Sequence, residues 1–199
     1  MQKLIMMHGL PLSGKSYNAG KLAEFLNDHG YPCGVTVSNA TRDHKPAAEM
    51  FSKAWVDETI PETRRQKDIS YRRLVDAASA MLDKHSIPIV DATWHKRRRR
   101  EWVYEVAKHK KASVYILHML YDDEQGIRKI LDMRLSTRRP ERNLLDTWDQ
   151  FMTMKEQFES LGQDEKTKHR MLIKDRISGK VEAPGDDFSK LLKGGLSSW

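Results

Sequence analysis

The chain predicts an α/β fold, a three-layer sandwich in which a mostly parallel sheet is flanked by helices and accompanied by a helical lid. Three observations carry this. Short apolar runs alternate with longer stretches of helical periodicity, the order that builds parallel sheets. The first run, Leu4 to Met7, passes directly into GLPLSGKS, Gly9 to Ser16, which fits the phosphate-cradling pattern G-x-x-x-x-G-K-[ST] at every specified position. At 199 residues the chain can bury one good-sized core, so one domain over residues 1–199 is expected.

Taken in order, the first strand and its loop are followed by Ala19, Leu22, Ala23 and Leu26 at helical spacing. A strand, a glycine loop and a helix turn several backbone N–H groups toward one point, where the positive end of the helix dipole also lies. Gly9, Leu10, Pro11, Leu12, Ser13, Gly14, Lys15 and Ser16 are therefore the candidate nucleoside triphosphate cradle. Lys15 is expected to reach the β- and γ-phosphates, and the Ser16 hydroxyl to ligate Mg²⁺.

The run from Val35 to Ser38 reads as the second strand and ends near Arg42 and Asp43. Ligands of open parallel sheets collect beyond the carboxyl ends of the strands, which puts both residues on the loop's edge. Asp43 is a candidate acceptor-side carboxylate, with helix capping as the alternative. Residues 46–85 read as helical, broken near Pro61, with Leu74, Val75, Ala78 and Leu82 as the inward stripe; Arg64, Arg65 and Lys67 read as a solvated face. The third strand, Ile87 to Val90, delivers Asp91, a candidate for the Mg²⁺ shell or for orienting the acceptor, or else a cap.

Lys96 to Arg100 place five cations at the start of a helix, where they oppose the dipole. Two explanations stand: a bound anion, or a solvated basic turn with nonspecific affinity for nucleic acid. Ser113 to Met119 reads as the fourth strand, and acidic residues 122–124 favour the helix that follows. That helix carries Ile127, Ile130, Leu131 and Arg134 and breaks at Arg138-Arg-Pro140; another begins at Leu144, with Trp148, Phe151, Phe158 and Leu161 as its apolar stripe. The basic turn between them reads as a lid over residues 122–161, with Arg134 and Arg138 closing on the transferring phosphoryl group. Met171 to Ile173 is a short fifth strand, and the glycine-punctuated tail, residues 180–199, reads as loosely ordered.

GLPLSGKS, Thr41-Arg42-Asp43, IVDATWHKRRRR and RLSTRRPERN, in this order over residues 1 to about 161, resemble the P-loop kinases. The likeness is nearest to the polynucleotide 5′-hydroxyl kinase branch and its zeta-toxin-like and seryl-tRNA kinase relatives. It implies the P-loop NTPase architecture, ATP as donor and Mg²⁺ as cofactor. It also implies Asp43 as the base for the acceptor hydroxyl, Arg42 and Asp91 on the acceptor side, Ser16 and Asp91 at the metal, and Arg138 with Arg134 in the lid. Arg139 is an equal neighbour of Arg138.

Composition narrows the classes further. Cys33 is the only cysteine, which excludes an internal disulfide and a cysteine-rich zinc site, and its setting between Pro32 and Gly34 reads as inert. No apolar stretch approaches the roughly 18 residues of a membrane span, so cytoplasmic residence is expected. A net charge of +7 and a pI near 9.4 favour a polyanionic partner. The leading expectation is an ATP-dependent kinase for a hydroxyl acceptor, slightly favouring a nucleic-acid 5′-hydroxyl end over a nucleoside or metabolite. A non-transferring ATP-binding regulator is the alternative, although no Glu follows Asp91 to activate water. A plain nucleic-acid module leaves GLPLSGKS unexplained.

Overall fold

Neighbouring residues of β1 (Gln2–His8) serve opposite faces of the sheet, as the two-residue strand period demands. Leu4 and Met6 enter one buried cluster and Ile5 and Met7 the other. β3 (Ile87–Asp91) and β4 (Ala112–Leu120) divide in the same way, Val90, Val114 and Ile116 to the first cluster, Ile89, Tyr115 and Leu117 to the second. Both faces must then be covered by helices. The computed structural model, which describes residues 1–37, 56–137 and 147–198, supplies them.

On the first face lie α2 (Pro61–Asp83) and α3 (Arg97–His109), burying Leu74, Val75, Ala78, Leu82, Val103 and Ala107. On the second lie α1 (Lys15–Asp28) and the terminal α7 (Asp187–Ser197). Next come α4 (Glu124–Thr137) and α5 (Trp148–Glu156), which ends short of Phe158 and Leu161, two residues expected on its stripe, and then a short α6 (Gln163–Lys168). With β2 (Cys33–Val37), β5 (Arg170–Asp175) and β6 (Val181–Glu182), the described strands form one sheet in the order β2-β3-β1-β4-β5-β6. All pairings are parallel except β5 with β6. The three-layer α/β expectation holds, with β1 and its loop in the middle of the sheet.

The tail departs from expectation. Asp186 caps α7 through Ser189, and Phe188, Leu192 and Leu196 are buried. Gly195 faces α1 so closely that a Cβ there would lie 2.7 Å from the Phe25 ring, and buried Lys174 donates to Asn18 and to the Leu196 carbonyl, tying β5, α1 and α7 together. The glycine that reads as a breaker allows a close helix contact.

Candidate active site

Two glycines let the loop turn where it does. Gly9 has φ +143° and passes so near β4 that a Cβ would lie 2.5 Å from the Met119 carbonyl oxygen. Gly14, with φ +87°, is the left-handed N-cap of α1. Leu12 also takes a left-handed φ, +68°, which costs a non-glycine residue about 1–3 kcal/mol and persists only where its surroundings impose it.

Lys15 is buried and folds over the loop, its ammonium donating to the Leu10 carbonyl at 2.6 Å and to Ser13 Oγ at 3.4 Å. Burial pulls its pKa down to about 8, against the opposing pull of Asp91. Asp91 ends β3, in register with Met7 of β1, and is also buried. Its carboxyl is raised by burial, while a hydrogen bond from Ser16 and the charge of Lys15 work in the other direction. Asp91 is not the cap of the next helix, since Lys96 holds that position in α3. Lys15, Ser16 and Asp91 thus meet at the carboxyl edge of the sheet.

The helices α4 and α5 reach the loop through apolar contacts. Leu10 and Leu12 pack with Tyr121 against Ile127 and Leu131 of α4 and against Phe151, Trp148 and Met152 of the α5 segment. Asp123 accepts the Gly126 N–H at 2.9 Å at the start of α4, a capping role for the acidic run. Thr147 and Gln150 form a capping box on α5, and Arg128 stacks on Trp148 at 3.6 Å. Arg134 lies in the last turn of α4, half-buried. Arg42, Asp43, Arg138 and Arg139 lie outside the described residues.

The basic run needs a different account from either expectation. Arg99 and Arg100 are fully buried. Arg99 donates to both oxygens of Glu58, at 2.8 and 2.6 Å, and to Asp68 at 2.8 Å. Arg100 grips Glu165 at 2.8 and 2.9 Å and reaches the carbonyls of Trp94 and Glu159. Arg98 pairs with Asp68, and Glu159 accepts the Arg97 N–H at 2.7 Å, a carboxylate over the helix N-terminus. The anions that justify these cations are the protein's own. Lys67, expected on a solvated face, is likewise drawn in to Glu58 at 3.2 Å and the Val56 carbonyl; Arg65 stays exposed beside Glu62.

Burial alone would raise the Glu58 carboxyl, but hydrogen bonds from His95 and Arg99 outweigh it and hold the group well below the ordinary range. His95, 2.5 Å from Glu58, is lowered to about 4, chiefly by burial, so the neutral ring donates Nε2–H to the carboxylate. Cys33 is half-buried and its thiol is pushed up to about 11, mainly by burial, in keeping with an inert role.

Two histidines meet beneath the loop. His8, the last residue of β1, and His118 of β4 lie in parallel register with Nδ1 atoms 2.7 Å apart. One ring donates and the other accepts, so the pair excludes double protonation. Burial first, and the other's charge second, holds His8 well below its usual pKa; burial and the nearby Lys166 and Lys15 lower His118 to about 4. Two histidines separated by 110 residues carry no pattern that would pair them.

A parallel sheet with β1 between β3 and β4, a glycine loop and its lysine against an aspartate at the next strand's end is the arrangement of P-loop kinases. A sequence model of the 6-phosphofructo-2-kinase family matches residues 1–181. The chain belongs to this family. Relatives within it include a probable 6-phosphofructo-2-kinase of Schizosaccharomyces pombe, 26% identical over 180 residues, which are 85% of this chain and 27% of that protein. A second is 6-phosphofructo-2-kinase/fructose-2,6-bisphosphatase 3 of Rattus norvegicus, 26% identical over 138 residues, 67% of this chain and 24% of the relative. The chain spans about a quarter of the length of these curated relatives.

Among solved structures, Chaetomium thermophilum Kti12 in complex with ADP-AlF3 aligns with a TM-score of 0.68 at 17% identity, covering 97% of this chain and 95% of that one. An unliganded sugar kinase from Janibacter sp. HTCC2649 aligns at 0.62 and 19%, covering 99% and 94%. These likenesses establish the fold. Membership of the 6-phosphofructo-2-kinase family keeps the P-loop kinase reading, while the narrower likeness to polynucleotide kinases gains nothing from it. The arginines that weighed toward nucleic acid are those held by Glu58, Asp68 and Glu165. No described helix is long and apolar enough to cross a membrane.

Proposed function

We propose that this chain is an ATP-dependent kinase unit that moves the γ-phosphoryl group onto a hydroxyl of a phosphorylated sugar. The observation that carries the proposal is the meeting of Lys15, Ser16 and Asp91 at the mouth of the glycine loop, in a member of the 6-phosphofructo-2-kinase family. In the reaction the acceptor oxygen bonds to the γ-phosphorus, the bond to the ADP oxygen breaks, and the acceptor proton leaves to a base. Such a transfer needs in-line positioning and compensation of charge more than covalent chemistry.

The loop amides and Lys15 hold the phosphates. Ser16 hydroxyl and Asp91 carboxylate are hard oxygen donors already in contact, a set that fits Mg²⁺. When bound there, Mg²⁺ neutralises charge on the β- and γ-phosphates. Asp43 is proposed as the base, Arg42 as an acceptor contact, and Arg138, Arg139 or Arg134 as the lid cation. In the folded protein Asp91 is oriented by Ser16 before any ligand arrives, which removes part of the ordering cost of binding.

The test offers γ-labelled ATP and Mg²⁺ together with fructose 6-phosphate, other sugar phosphates, free sugars, nucleosides and 5′-hydroxyl oligonucleotides in separate reactions. Label is expected on a sugar phosphate. Label on an oligonucleotide alone overturns the acceptor class, and nucleotide binding with no labelled acceptor overturns the kinase reading. Asp43→Asn is expected to abolish transfer while ADP still binds; near-normal turnover would remove Asp43 as the base. Arg138→Ala is expected to lower kcat more than ATP affinity.

A further inference from the structure

The turn after β5 is braced at several points. Asp175 Oδ1 accepts the N–H groups of Ile177 and Ser178, its carbonyl accepts from Gly179, and Gly179 takes φ +71°. The Arg176 N–H donates to the Leu120 carbonyl at 3.0 Å, fixing the turn to the end of β4. From this base the Arg176 side chain extends over the Tyr121 ring, guanidinium carbon 4.2 Å from the ring centre, and Nη1 donates to the carbonyl oxygen of Leu12. Its Cδ lies 4.0 Å from the place a Cβ would take on Gly14. The arginine therefore spans the middle of the glycine loop from outside.

Leu12 is the non-glycine residue of the loop with a left-handed φ. Such a peptide relaxes more easily when its carbonyl is free, and relaxation disturbs the turn that the Ser13 N–H closes onto the Leu10 carbonyl at 3.4 Å, and with it the loop backbone that cradles phosphate oxygens. Lys15 holds the Leu10 carbonyl from inside, and Arg176 holds the Leu12 carbonyl from outside. We propose that Arg176 is a positioning residue: it latches the Leu12 peptide in its strained orientation and so preorganises the loop amides for a nucleotide polyphosphate. The proposal rests on the loop's being a nucleotide site, and the latch is specific in predicting that its importance depends on the strain at residue 12.

Calorimetric titration with ADP and Mg²⁺ in a double-mutant cycle tests this. Arg176→Ala is expected to weaken ADP about tenfold, the scale of one charge-assisted hydrogen bond. Leu12→Gly removes the backbone strain along with the side chain; Leu12→Ala removes the side chain and keeps the strain. Adding Arg176→Ala should cost less than about twofold in the Leu12→Gly background and about tenfold in the Leu12→Ala background. The same loss in both backgrounds means that Arg176 touches the nucleotide directly, and no loss in the parent means that it holds nothing; either overturns the latch. If the parent binds no ADP, the nucleotide reading fails instead. The latch then stands or falls on amide exchange without ligand, where Arg176→Ala should speed exchange at Ser13 and Gly14 and Leu12→Gly should cancel that acceleration.

Discussion

Glu165→Gln should strand a buried arginine without its counter-ion. Arg100 and Glu165 have side chains 0% and 3% exposed, and the carboxylate meets the guanidinium through two parallel bonds of 2.8 and 2.9 Å. It also accepts from Tyr104 at 2.6 Å and from the Gly162 N–H at 2.8 Å. Burial would raise this carboxyl, yet the bonds from Arg100, Tyr104 and Gly162 bring it down to about 2. Gln keeps the shape and one acceptor but leaves a buried cation without its counter-ion, a loss of about 3–5 kcal/mol. With a urea m-value of about 3 kcal/mol/M, the unfolding midpoint should fall by roughly 1–1.7 M. The control is Glu101→Gln, whose partner Arg97 is half exposed at 3.1 Å and whose loss should stay below about 1 kcal/mol. Replacing both Arg100 and Glu165 by Met should recover much of the loss, because the cost comes from the uncompensated charge. A Glu165→Gln protein within about 1 kcal/mol of the parent refutes the claim that the basic run is consumed structurally.

Three further outcomes are expected. ADP binding followed from pH 7 upward should weaken above about pH 8 as the Lys15 ammonium loses its proton, and a flat profile well beyond pH 8 would remove the burial argument. For His118 the folded pKa of about 4 lies below the unfolded 6.5, so the unfolded chain binds the extra proton between these values and stability falls as pH drops through that window. His118→Gln should flatten part of that slope in urea titrations at successive pH values, and an unchanged slope contradicts the buried neutral pair. Gly9→Ala should lower ADP affinity by more than about tenfold, since its methyl would meet the Met119 oxygen at 2.5 Å on a backbone at φ +143°; parental affinity would show that the loop can shift freely.

The sheet and the glycine loop are legible from sequence because their causes are local. Two glycines, a lysine and a serine stand at fixed spacing within eight consecutive residues, and β-branched or apolar runs of strand length do the rest. Arg99 and Arg100 were opaque for the opposite reason. Their partners Glu58 and Glu165 lie 41 and 65 residues away, and nothing near either glutamate marks it as an inward-facing charge. The tail misled through Gly194 and Gly195: a residue that favours turns is also one that lets two helix backbones approach, and Phe25, which decides between these, sits far back in α1. The apolar spacing of Phe188, Leu192 and Leu196 was the available signal for that helix.

The leucines at positions 10 and 12 give the glycine loop a hydrophobic underside shared with Ile127, Leu131 and Phe151. Any free energy by which a nucleotide fixes those leucines must appear, with equal size, as added protection of the helices that cover them. Affinity and the order of these helices are then two readings of one coupling. A cavity cut at Phe151, remote in sequence from the glycine loop, would be felt as weaker nucleotide binding, and nucleotide would be felt at Phe151 as slower amide exchange. The greasy residues in a polar motif are its mechanical connection to the rest of the fold.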